Sequence, residues 1–133
     1  IEQIPLAKWK DGRVVNRRGE MINAENGSQL SALPLFSGPE GASKILAKRF
    51  QLISGQLAAL NLSVAALAIN ERRAWRVSLN NGLHLLLGRS ANEMQIARFS
   101  EAYKTVLAEQ VEKMQSVDLR YTNGFAVRWK TVS

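Results

Sequence analysis

The chain has 133 residues, a formal net charge of +7, 46% hydrophobic and 22% charged residues, and a pI near 10.3. That balance fits one globular domain with a real core and argues against disorder. It holds no cysteine, which excludes disulfides, thiolate metal sites and a cysteine nucleophile; its longest apolar run, Val64 to Ile69, is far short of the ~20 residues a membrane-spanning helix needs.

Residues 4 to 27 are punctuated by Asp11-Gly12, Arg18-Gly19 and Asn26-Gly27, with Trp9, Val14-Val15 and Met21-Ile22 between them. That spacing predicts a small antiparallel meander. A connector with Pro34 follows over 28–38. Gly38-Pro39-Glu40-Gly41 then reads as a helix start, with Pro39 at the first helical position. Ile45, Leu46, Phe50, Ile53, Leu57 and Leu60 recur at helical spacing and predict a helix from about 39 to 60, closed by Asn61. Lys44, Lys48 and Arg49 fall off its apolar stripe and are expected in solvent.

Residues 62–69 predict a short strand buried on both faces. Arg72 to Leu79 and Leu83 to Leu87 flank Asn80-Asn81-Gly82. A three-residue loop pairs Leu79 with Leu83, Val77 with Leu85 and Trp75 with Leu87. That register gathers the large apolar groups on one face and sets Ser78 opposite His84. A second helix is predicted over 91–113, with Ser90 and Glu93 at capping-box spacing and a stripe of Ile96, Phe99, Tyr103, Val106 and Leu107.

The last stretch, Val117 to Trp129, alternates on both sides of Asn123-Gly124. A loop at 122–124 pairs Tyr121 with Phe125, Leu119 with Val127, Val117 with Trp129 and Asp118 with Arg128; one strand bulged at Asn123-Gly124 is the alternative. The fold class is thus α+β: an antiparallel or mixed sheet with two helices packed against it and an open C-terminal edge strand. An uncovered edge offers unpaired N–H and C=O groups to another chain, which points to binding by strand addition.

The residues that carry chemistry are sparse. His84 is the single histidine, and Asp11 and Asp118 are the only aspartates. A lone sheet histidine is more often a packing residue than a general base, Asp11 is explained by its turn, and no spacing matches a metal site. The reading is of no enzyme, no cofactor and no metal. The helix start at Gly38-Pro39 is a poor anion site, because Pro39 lacks a donor and Glu40 repels anions. The positive charge suits an acidic protein, an anionic membrane or nucleic acid. A basic nucleic-acid-binding module stays as the alternative, since Trp75 and Trp129 have the chemistry of stacking platforms. Both fall on the apolar faces of their hairpins, however, so core packing is the more economical account; Trp9, between two lysines, is harder to place.

Leu35-Phe36-Ser37-Gly38-Pro39-Glu40-Gly41, then Arg72-Arg73-Ala74-Trp75 with Leu79-Asn80-Asn81, Leu87-Gly88-Arg89, Arg98-Phe99 and Val117-Asp118-Leu119-Arg120-Tyr121 occur in that order. Together they closely resemble the periplasmic β domain of the FtsQ/DivIB family of bacterial cell-division proteins, over residues 4 to 130. The resemblance implies a junction from a POTRA domain at 1–9, the β domain at 10–130 and a tail at 131–133. The opening Ile1-Glu2-Gln3 without an initiator methionine reads likewise as a piece of a longer protein. The resemblance further implies a divisome scaffold at the periplasmic face of the inner membrane, at the septum. Its membrane contact runs only through a transmembrane segment outside this chain, and the isolated domain is expected to be a monomer. The implied partners are FtsB, FtsL and other divisome proteins, with no nucleic acid. The resemblance implies that FtsB adds a strand to the C-terminal edge. By position in the family motif, Arg72 and Arg120 meet partner carboxylates, Tyr121 gives apolar contact, Asn123 and Gly124 form the turn or bulge, and Phe125 and Trp129 lie along the edge.

Overall fold

The computed structural model describes residues 5–22, 33–89, 93–105, 107–121 and 124–130. Nine strands form one mixed sheet: β1 (Pro5–Trp9), β2 (Val14–Asn16), β3 (Met21–Ile22), β4 (Leu35–Ser37), β5 (Val64–Ile69), β6 (Trp75–Leu79), β7 (His84–Gly88), β8 (Met114–Asp118) and β9 (Ala126–Trp129). Across the sheet the order is β3-β2-β1-β4-β5-β6-β7-β8-β9. Two helices, α1 (Ser43–Ala58) and α2 (Glu93–Thr105), complete the domain. The architecture is the expected α+β one, and β9 lies at one margin of the sheet.

The first three strands are the predicted meander. Gly12 takes φ +98° and lets Trp9 N–H reach the Arg13 carbonyl at 2.7 Å. Asn16 Oδ1 accepts the N–H groups of Arg18 and Glu20, the side-chain turn that asparagine favours. Residues 5–9, expected within a junction, form β1, an interior strand between β2 and β4 whose Ala7 and Trp9 belong to the core. The core also answers the question of Trp9: alternation along β1 turns the indole inward while its flanking lysines are less buried.

The connector over 28–38 contains β4, which pairs parallel to both β1 and β5. Three residues are too short a run for periodicity to register. Pro39 is a turn residue before α1 rather than its first residue: its carbonyl accepts Ala42 N–H at 3.1 Å, and Gly41 at φ +87° stops the helix from starting earlier. The end of α1 is as expected. Asn61, at φ 59°, is left-handed. Leu62 N–H bonds the Leu57 carbonyl and Asn61 N–H the Ala58 carbonyl, the paired bonds of a Schellman cap. Arg49 is a correction: it is half-buried, its guanidinium 5.6 Å from the centroid of the buried Trp75 ring, a cation–π contact.

β5 buries Val64, Leu67 and Ile69, while Ala65 is exposed and Ala66 and Ala68 are half-open. The expected two-sided burial fails because the packed core lies against only one face of the strand. The three-residue loop at 80–82 holds, with Gly82 at φ +90°, Leu79 N–H on the Leu83 carbonyl, and Val77 opposite Leu85. A bulge at Trp75 pairs it with Gly88 instead of Leu87.

The long second helix is two pieces. α2 ends at Thr105, and a 3₁₀ helix, Leu107–Lys113, leads into β8. Thr105 Oγ1 donates back to the Glu101 carbonyl at 3.0 Å, a contact that loosens helix geometry. Ser90, the proposed cap, lies outside the described residues. α2 and the 3₁₀ helix form the crossover that lets β8 pair parallel to β7. Phe36, Leu46, Ile53, Leu57, Leu67, Val77, Leu85, Ile96, Phe99 and Val117 form the centre of the core.

His84 stands opposite Ser78, as expected, and its Nδ1 lies 2.8 Å from Ser78 Oγ. Burial, and then the charge of Arg76, lower its pKa below the ordinary 6.5. The folded state therefore disfavours the imidazolium. Its contribution to stability is complete above pH 6.5 and is lost as pH falls through the lowered folded value. We expect the melting temperature to fall between pH 7 and pH 5, ahead of most carboxylate titration. His84→Gln should flatten that window; an unchanged slope would assign it to other groups.

Candidate functional site

The β8–β9 edge is built from a short sequence that stops pairing early. Val117 faces Val127, Asp118 faces Ala126 and Ser116 faces Arg128. β8 and β9 pair antiparallel as two strands, not one bulged strand, and their register lies two residues from the predicted one. A side-chain turn ends the ladder sooner than alternation implies. Asp118 Oδ1 accepts Arg120 N–H at 3.0 Å, which turns the chain after β8. Leu119 faces β7, with its N–H on the Leu86 carbonyl at 2.9 Å, and its carbonyl accepts from Gln95 Nε2 on α2 at 3.0 Å.

That turn aims Arg120. Its Nε and Nη2 grip Asp118 at 2.8 and 2.6 Å, so Asp118 pairs with Arg120 and not, as expected, with Arg128. The hydrogen bonds from Arg120 hold the Asp118 carboxyl below its ordinary value despite partial burial. The Arg120 stem lies over Gly88, where a side chain would sit 3.0 Å from its Cγ. The neighbouring Arg89 donates through Nε to the Arg72 carbonyl at 3.1 Å. Arg72 N–H in turn bonds Asn70 Oδ1 at 2.9 Å. The turn before β6 and the ends of β7 and β8 thus share one rim of the sheet, and it carries Arg72, Arg89 and Arg120.

Tyr121, Phe125 and Trp129 are exposed by 56, 37 and 47%. Large apolar side chains in solvent are unremarkable singly, but these three lie within nine residues at the β8–β9 edge. Trp129 shares a side of β9 with Val127, which packs on the core, yet it is not itself a core residue. The core-facing row ends at this strand, so the indole lacks a neighbour beyond it. Gly124 is half-buried, with open space where a Cβ would stand. Asn123 lies outside the described residues. Sequence reasoning gave no role to Arg89 or to Arg98, which donates to the Tyr121 and Gly124 carbonyls at 3.0 and 3.3 Å. Only their place in the motif blocks hinted at them.

The backbone of β9 fits the same picture. Lys130 N–H bonds the Lys113 carbonyl at 2.9 Å, so by alternation the N–H and C=O groups of Val127 and Trp129 point away from β8.

The family model for the C-terminal region of the cell division protein FtsQ/DivIB matches residues 7–120. The chain belongs to the FtsQ/DivIB family. Its FtsQ relatives include the cell division protein FtsQ of Methylomonas methanica, 39% identical over 97% of this chain and 52% of the relative. That of Nitrosospira multiformis is 36% identical over 96% and 52%, and that of Coxiella burnetii 30% identical over 97% and 53%. The chain therefore spans about half the length of these curated FtsQ proteins. Among the described residues, no helix is long and apolar enough to cross a membrane.

Proposed function

We propose that this FtsQ-type domain is a non-enzymatic scaffold of the divisome that takes up a segment of FtsB, from the FtsB–FtsL pair, as an added strand on β9. The observation that carries the reading is the edge itself: outward main-chain groups at Val127 and Trp129, an open apolar set at Tyr121, Phe125 and Trp129, and the arginine rim beside them. Main-chain bonds would supply affinity with little sequence dependence, and side chains the register. Arg120 and Arg72 would meet carboxylates of the segment, and the net charge of +7 would speed association at low salt. The setting is the periplasmic face of the bacterial inner membrane at the septum, where docking helps recruit and control septal peptidoglycan synthesis. A nucleic-acid module is the less favoured reading. Trp75 is buried, which removes one of the two stacking platforms such a module would use, and Trp9 is buried as well.

The test is an NMR titration of the 133-residue domain with the periplasmic segment of FtsB. Shifts concentrated at 120–129 and Arg72 are the expected result. Absence of shifts at high peptide concentration would reject the partner. Binding of arbitrary oligonucleotides with a steep salt dependence would favour the rival.

A further inference from the structure

β9 is a four-residue strand with one neighbour, β8. Ala126, Arg128 and Trp129 are exposed, and only Val127 packs on the core. Its placement needs more than its own ladder. The loop before it is tied down from below by two side chains of α2. Gln95, itself buried, spans the Leu87 carbonyl at 2.8 Å and the Leu119 carbonyl at 3.0 Å. It thereby fixes the ends of β7 and β8 to one amide. One turn further along, on the same helix face, Arg98 Nη1 bonds the carbonyls of Tyr121 and Gly124, on the two sides of the loop.

From this we infer that Arg98, supported by Gln95, is a positioning residue: it presets the loop that carries Tyr121 and Phe125 and so holds β9 ready to receive a strand. This rests on the strand-addition reading above. A planar guanidinium suits the task, because its donors are fixed in a fork, while a lysine is a flexible point charge. Charge-assisted bonds to carbonyls are also stronger than neutral ones. The device acts on the free protein. A segment that docks onto an edge already in place loses less affinity to ordering than one that must first arrest a loose loop.

The test uses the 133-residue chain and its Arg98→Met and Arg98→Lys variants. Backbone order parameters of residues 121–129 are measured without partner, and association with the FtsB segment is measured by stopped flow. We expect Arg98→Met to keep a melting temperature close to wild type, to lose order at Tyr121 and Gly124, and to bind about tenfold more weakly, mostly through a slower on-rate, as when the competent fraction drops to about a tenth. Arg98→Lys should fall between the two. Unchanged order in Arg98→Met overturns the proposal, as does lost order with unchanged affinity. If Arg98→Met unfolds, Arg98→Lys decides by the same two readouts. A wild-type domain that binds no segment refutes the docking reading instead, and is told apart because the wild-type arm fails while the order parameters still differ between variants.

Discussion

Arg120→Glu should weaken binding of the FtsB segment about 100-fold, whereas Arg120→Ala should weaken it about tenfold, because reversal sets like charges across the contact while truncation only removes an attraction. Arg120 is exposed and already holds Asp118 through two side-chain bonds. A partner carboxylate would therefore meet a guanidinium whose position is fixed before contact. The same pair offers a check without partner. In the wild type the Asp118 carboxyl is held low, chiefly by its hydrogen bond from the Arg120 side chain, while burial opposes. Its contribution to stability is present above pH 3.8 and lost as pH falls through the lowered folded value. In Arg120→Ala the side-chain hydrogen bonds and the guanidinium charge are lost while burial and the backbone N–H bond of residue 120 remain, so the carboxyl should titrate above its wild-type value by NMR. Tyr121→Ala should also weaken binding without lowering the melting temperature, since the ring lies mostly in solvent. Equal affinities for Arg120→Glu and Arg120→Ala would show that no partner carboxylate meets this side chain. A steep drop in melting temperature for Tyr121→Ala would make that ring structural.

Much of this was legible in the residues, and the reasons for the rest are local. Gly82 after Asn80-Asn81 and the facing apolar pairs fixed the β6–β7 register, because only one register put Val77 and Leu85 on a shared face. Asn61 was readable as a helix end because few residues other than glycine enter the left-handed region readily. The C-terminal register was not readable. Alternation through Leu119 and Tyr121 continues in the sequence, but the ladder stops where Asp118 turns the chain. That bond is a local side-chain turn, and no period in the chain encodes it. Trp129 failed for a related reason: period two assigns it to the core side of β9, but not how far the core extends beneath it. β4 was missed because its three residues acquire their identity only from parallel neighbours on either side. The candidate residues Arg72 and Arg120 were singled out by motif and lie on one rim of the sheet, while the carbonyls of Tyr121 and Gly124 share a donor in Arg98. Arg98 shows what motif alone leaves open, since its work lies in backbone atoms two elements away.

Gly19→Ala should be the most destabilising small change in the domain, lowering the melting temperature by roughly 10 °C while sparing the docking edge. From sequence Gly19 is a turn glycine after Arg18, and the turn does need it: φ is +81°, where a side chain costs about 1–2 kcal/mol. The larger effect is invisible in the chain. A Cβ at this position would stand 2.4 Å from the Lys44 Cα, a backbone atom in the first turn of α1 that cannot rotate away. Ser43 Oγ moreover donates to the Gly19 carbonyl at 2.6 Å, so the loop and the helix start are bonded as well as touching. Relief requires shifting α1, whose Leu46, Ile53 and Leu57 are fully buried. Such overpacking adds about 1–3 kcal/mol. A total near 3 kcal/mol corresponds to roughly 10 °C for a chain of this size. The β8–β9 edge lies at the far margin of the sheet from β2 and β3, so affinity for the FtsB segment, measured well below the melting temperature, should stay within about twofold of wild type, as expected for independent sites. Calorimetry and the titration together decide the matter. An unchanged melting temperature would mean that the β2–β3 turn yields without moving α1. A large loss of affinity would mean that strain at the helix start reaches the edge through the core.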